Sequence, residues 1–152
     1  MLQAIMTKPG EIQFNEIDTP IPLSNEVLLK IRKIGVCGSD IHVYHGLHPY
    51  TSFPVVQGHE VSGEIVSCGQ NASKYDLGQL VTFMPQITCD ACYQCKHGDY
   101  HICENLKVMG FQTGGAAQEY FIVPEENIIP LSKNITPEIG AMIEPISVAV
   151  HA

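Results

Sequence analysis

The 152-residue chain is 45% hydrophobic and 16% charged, a globular composition with enough length for one domain and its own core. A net charge of −8 argues against a nucleic-acid backbone or an anionic membrane as the main partner. No apolar run approaches the ~18 residues of a bilayer span, and the opening MLQAIMTKPGEIQF lacks the long apolar core and small-residue cleavage site of a secretion signal. The expected compartment is therefore the cytoplasm, where stable disulfides are rare.

In chain order, LQAIMT and EIQFNEI flank Pro9-Gly10 and predict a hairpin. EVLLKIRKIGVC is apolar and β-branched and predicts a strand that ends at Cys37. GEIVSCG and QLVTFMP predict two more strands, separated by the turn-rich GQNASKYDLG. After a cysteine-rich stretch, AAQEYFIVP and ENIIPLS predict two further short strands. Near the end, Thr136 and Pro137 predict a helix start, with a hydroxyl cap and a proline at the first helical position. That helix is expected to run through Glu144 and to be kinked or interrupted by Pro145. Many short strands with irregular links predict a mainly β, barrel-like body with few short helices. No internal repeat, low-complexity run or linker is evident.

The stretch TCDACYQCKHGDYHIC carries Cys89, Cys92, Cys95 and Cys103 as C-x2-C-x2-C-x7-C. Disulfides, an iron–sulfur cluster and a metal ion all use dense cysteines. Stable disulfides need an oxidising compartment. A bacterial ferredoxin run ends C-x3-C-P, whereas this one ends on a seven-residue gap with no proline after Cys103. Two-residue gaps let neighbouring thiolates converge on one ion, and Zn²⁺ accepts four of them tetrahedrally. The spacing points to a structural zinc, closed to chemistry because its shell is complete. His97 and His101, within this stretch, are expected to be solvated loop residues.

A second constellation is GVCGSDIH followed by GHE: Cys37, Ser39, Asp40 and His42, then His59 and Glu60. A Cys, a His and a carboxylate are what an open zinc site uses. Cys37 and His59 are far apart in sequence, so only the fold can assemble such a site. The residues alone leave two plainer readings open, Cys37 as a small buried apolar group and His59 as a satisfied core histidine. His45 and His48 are expected on a surface loop, and Glu125, Glu126 and Glu138 on a solvated face.

GVCGSDIH, PVVQGHEVSGEIV, the four-cysteine stretch and IEPISVAVHA, in that order, resemble the zinc-dependent medium-chain alcohol dehydrogenases. The pattern G-H-E-x2-G-x2-V stands intact at Gly58, His59, Glu60, Gly63 and Val66. The Glu-Pro pair at Glu144 resembles the sorbitol, threonine and sugar-acid dehydrogenase branch. The resemblance implies a GroES-like, partly open β-barrel with a structural-zinc lobe over residues 1–152, the catalytic domain of an enzyme that also has a Rossmann domain. It implies two zinc ions per chain. One is structural, on Cys89, Cys92, Cys95 and Cys103; the other is catalytic, on Cys37 and His59 with Glu60 or Glu144. It implies that Ser39 touches the substrate oxygen, that His42 ends a proton relay, and that Asp40 orients the zinc histidine.

The implied reaction is oxidation of a secondary alcohol, a polyol or sugar acid, with NAD or NADP. A threonine dehydrogenase-like reaction and a non-catalytic zinc module stand as alternatives. No G-x-G-x-x-G occurs in these 152 residues. The cofactor domain is therefore expected to be missing from this chain, as in an excised catalytic domain that is inactive alone and exposes an apolar half-cleft. The expected partners are a small-molecule alcohol and, in the full-length enzyme, further copies of itself.

Overall fold

A computed structural model of the chain describes residues 1–151. Ala152, the last residue of the expected domain, lies outside the described residues.

The first two strands, β1 (Leu2–Lys8) and β2 (Glu11–Glu16), form the predicted antiparallel hairpin around Pro9-Gly10. Gly10 holds a left-handed φ of 76°, which a glycine adopts at little cost. The central sheet has five antiparallel strands in the order β8-β3-β4-β5-β9. They are β3 (Glu26–Ile34), β4 (Val61–Cys68), β5 (Leu80–Phe83), β8 (Tyr120–Pro124) and β9 (Ile128–Pro130). A third, two-stranded sheet pairs β6 (Gln86–Ile87) with β7 (Lys107–Val108) and anchors the cysteine lobe. Among the described residues the architecture is mainly β, with short helices and no closed barrel.

The main core lies on this sheet. Val27 and Leu29 of β3, Val61 and Ile65 of β4, Val81 and Phe83 of β5, and Val123 of β8 are buried together. Burial of such side chains stabilises by roughly 1.5–3 kcal/mol each. Buried polar groups in the core find partners: Thr82 Oγ1 donates to Val61 O at 2.7 Å, and Ser62 Oγ donates to Pro137 O at 2.7 Å. The second contact ties α3 (Pro137–Ala141) to the sheet. A smaller cluster of Met6, Val43, Val55 and Phe111 joins the hairpin to the helix after β3.

Four expectations are corrected. The strand predicted to end at Cys37 ends at Ile34. Cys37 is instead the N-cap of α1 (Gly38–Tyr44), a helix whose glycine start and cysteine cap disguise it. Thr136 does cap α3, but that helix closes at Met142. Glu144 belongs to a separate helix, α4 (Ile143–His151), with Pro145 in its first turn, where a missing N–H costs nothing. Glu125 is not on a solvated face. It is buried, and its carboxylate accepts the Lys74 N–H at 2.6 Å. Glu138 is exposed as expected and pairs with Lys33 at 3.0 Å. His48, finally, is half-buried and packed against Phe111, so it is not a free loop residue.

Ile146, Val148 and Val150 of α4 are exposed, as are Val36 and Leu47, so apolar side chains do face solvent on this chain. Among the described residues, no helix is long and apolar enough to cross a membrane.

Candidate metal centres

The cysteine lobe is built locally. Cys92 caps α2 (Tyr93–His97), which carries Cys95, and a 3-10 turn at Tyr100–Ile102 delivers Cys103. Gly98 closes α2 with a left-handed φ of 85°. The four sulfurs lie within 4.8 Å of one another. Cys92 and Cys95 sulfurs are 3.4 Å apart, and those of Cys89 and Cys103 are 3.5 Å apart. Disulfide sulfurs sit at about 2.05 Å. Four sulfurs around one zinc at about 2.3 Å each would be about 3.8 Å apart, and the lobe is close to that spacing.

The local electrostatics fit a cation. Backbone N–H groups of Ala91 and Cys92, with the Cys103 thiol, lower the Cys89 thiol to about 6. The Cys95 and Glu104 N–H groups hold the Cys92 thiol below its usual range. Burial, with the crowding thiols of Cys92 and Cys103, pushes Cys95 up to about 12. Four thiolates cannot gather here without a compensating charge, and a dication supplies one. His97 lies outside the cluster; its Nδ1 is 2.7 Å from Tyr93 O and its ring stacks on Tyr93. His101 is exposed beside His151.

The second centre is assembled from distant segments. Past the end of β3, Gly35 N donates to Glu60 O at 2.7 Å, which continues the β3–β4 pairing and sets Cys37 beside the His59-Glu60 pair. Gly58, with φ of 101°, makes the turn before His59. A ligand atom each from Cys37, His59 and Glu60 lies within 4.8 Å of the others. Ser39 and Glu144 line the same cleft of about 330 Å³, outside that trio, with Pro85, Val108 and Phe111 as its apolar wall. His42, on α1, is exposed and lies outside the lining.

Asp40 is buried below the trio. Its Oδ2 accepts the Cys37 N–H at 2.9 Å and its Oδ1 accepts the Gln57 amide at 2.9 Å. His59 Nδ1 faces the same Oδ1 at 3.8 Å, too far for a hydrogen bond. That nitrogen is buried and unpartnered. Burial raises the Asp40 carboxyl above its usual range, against the pull of the Cys37 N–H and His59. Burial also raises Glu144, aided by the nearby carboxylates Glu60 and Asp40 and opposed by His59. Crowded acids around an underpartnered histidine are the donor set an open zinc site uses.

Phe111 and Gln57 went unnoticed in the sequence. Phe111 lies between two imidazoles, tilted against His59 at 4.9 Å and stacked on His48 at 4.8 Å. His48 Nδ1 in turn meets Thr51 Oγ1 at 2.7 Å. An aromatic residue between Gly110 and the Gly114-Gly115 pair was the available signal. Gln57, next to GHE, offered none beyond adjacency.

Comparison with known proteins adds a family. The chain matches the alcohol dehydrogenase GroES-like domain over residues 23–133. It is 40% identical over 148 residues to L-galactonate-5-dehydrogenase of Escherichia coli K12, covering 97% of this chain and 43% of that protein. It is 38% identical over 154 residues to L-threonine 3-dehydrogenase of Pyrococcus horikoshii, covering 99% of this chain and 44% of that enzyme. Among solved structures, the RspB alcohol dehydrogenase of Escherichia coli CFT073, complexed with NADH, superposes with a TM-score of 0.91 at 33% identity, covering 99% of this chain and 44% of the other. The chain thus spans less than half the length of the curated relatives it matches.

Proposed function

The chain belongs to the alcohol dehydrogenase GroES-like domain family, and from that premise we propose that it forms the metal-bearing half of a zinc- and NAD(P)-dependent dehydrogenase of secondary alcohols. The observation that carries this reading is the convergence of Cys37, His59 and Glu60 in a cleft also lined by Ser39 and Glu144. The cofactor-binding half would lie outside these 152 residues, as expected for a domain matching under half of its relatives' length.

In this reading Cys89, Cys92, Cys95 and Cys103 hold a structural zinc, and Cys37, His59 and Glu60 hold a catalytic one, with Glu144 in reach of the same cleft. A zinc ion held there would supply Lewis acidity, lowering the pKa of a bound hydroxyl as it lowers that of bound water to about 7 elsewhere. The protein's own groups do the rest. Ser39 Oγ accepts the proton of the alcohol as its own hydroxyl proton leaves toward His42. His42, three residues along α1 and on the same helical face, hands it to solvent. Asp40, fixed by the Cys37 N–H and Gln57, stands behind His59 with Oδ1 3.8 Å from Nδ1, placed to orient the ring once the other nitrogen binds a metal. With Nδ1 turned to Asp40, Nε2 is the nitrogen left for the metal. Pro85, Val108 and Phe111 exclude water from one side of the cleft.

The substrate class is a polyol or sugar acid, in line with the galactonate-oxidising relative. L-threonine is the second candidate, on 38% identity to a threonine dehydrogenase. The test is NAD(P) reduction by the domain joined to a dinucleotide-binding half, with sugar acids, polyols and L-threonine offered in parallel. Ser39→Ala and His59→Ala should each abolish it. A His59→Ala protein that keeps full activity would remove the zinc mechanism, and a joined protein that reduces NAD(P) with none of these substrates would leave a non-catalytic zinc module as the better reading.

A further inference from the structure

Of the three carboxylates near Cys37 and His59, Asp40 is held by the Cys37 N–H and Gln57, and the fold treats Glu60 differently from Glu144. The Glu60 side chain lies across the α-carbon of Gly35, its neighbour on the adjoining segment. A Cβ placed on Gly35 would overlap Glu60 Oε2 and would sit 2.9 Å from Glu60 Cβ and 3.3 Å from Glu60 Cδ. Those are the three nearest heavy atoms, and all belong to Glu60. Gly35 is not among the glycines with a left-handed φ. Its lack of a side chain therefore answers a need for space and not for an unusual backbone. A glycine beside a strand end often marks such a close approach.

We infer that Gly35 is a positioning residue for the open metal site: its missing side chain is the slot that holds the Glu60 carboxylate against Cys37 and His59. This placement rests on the metal site proposed above. Any side chain at position 35 would meet Glu60 Oε2 first and push that carboxylate out of the trio, while the 2.9 Å approach to Glu60 Cβ would force a smaller shift of the segment that carries it. Gly35 touches neither metal nor substrate, so its effect runs through Glu60 alone.

The probe is cobalt(II), titrated into the full 152-residue chain with zinc kept in the cysteine lobe. Binding at Cys37 is read from the thiolate–cobalt absorption, with no turnover involved. Gly35→Ala should weaken cobalt binding about tenfold or more, the usual cost of disturbing a group that orients a ligand. In a Glu60→Gly background, which is weaker to begin with, Gly35→Ala should cost nothing further, because the three nearest atoms it would meet are gone. Equal cobalt affinity for the unaltered chain and Gly35→Ala overturns the slot. A loss of the same size in both backgrounds overturns it too, since the cause would then be backbone distortion. Should Gly35→Ala fail to fold, the double variant must fold; if it does not, the slot is again overturned. An unaltered chain that binds no cobalt at Cys37 overturns the metal site itself, and the slot with it.

Discussion

The two cysteine-containing centres differ in how they are made. In the lobe, every ligand comes from residues 89–103, and α2 and the 3-10 turn place them by local geometry. In the cleft, Cys37 and the His59-Glu60 pair come from distant segments, joined by the pairing of β3 with β4 and by the Gln57–Asp40 hydrogen bond. The lobe offers four thiols and nothing else. The cleft offers one thiol, one imidazole and carboxylates, with Ser39 and Glu144 lining the space beside them. A closed shell of identical soft donors suits a metal that holds a fold. A mixed shell with room for another ligand suits a metal that meets a substrate. In the function proposed above, one site holds the fold and the other meets the substrate.

The largest effect that would break this comparison is in the lobe. Cys95→Ser should lower the thermal midpoint steeply and cost about one zinc per chain, because free energy of order 10–16 kcal/mol can couple such a site to folding. Unchanged midpoint and metal content would show that the lobe is not a zinc site. Next comes Cys37→Ser. It should also remove about one zinc, yet shift the midpoint far less, because β3, β4 and the core stay paired without the cleft metal. Equal thermal losses in the two variants would erase the distinction. Asp40→Asn is expected to act only in the cleft, weakening metal binding about 10–100-fold and leaving lobe zinc in place. Isothermal titration of the metal-stripped cleft would measure it. The smallest effect is His97→Ala, which should change neither metal content nor cleft affinity, because His97 is engaged with Tyr93 outside the cluster. Loss of lobe zinc in that variant would add an imidazole to the ligand set.

The lobe and the cleft also differed in how far the sequence disclosed them. C-x2-C-x2-C-x7-C is a local code, and its ligands do converge. The hairpin at Pro9-Gly10, the strands around Val27, Ile65 and Val81, and the Thr136 cap were readable for the same reason: each depends on neighbours in the chain. Cys37 and His59 stand as a candidate metal pair by residue type, but their convergence depends on strand register, so the residues alone leave plainer readings open and the family resemblance carries the assignment. Helix α1 escaped notice because glycine opens it and cysteine caps it, neither a strong start signal. Phe111 was hidden because its partners, His48 and His59, lie far away in sequence. Glu125 was misread because charge usually means solvent. Here the carboxylate turns inward to meet the Lys74 N–H, which a sequence pattern does not encode.

Two zinc sites on one chain, one closed and one open, should part with their metal separately. The most direct test is zinc content during graded chelation, followed in parallel on the unaltered chain and on Cys37→Ser. The unaltered chain should start near two equivalents and lose one to mild chelator with little change in midpoint, then lose the second only as it unfolds. Cys37→Ser should start near one equivalent and show only the second step. A single equivalent in the unaltered chain, or two that leave together as the protein unfolds, would rule out two unlike sites.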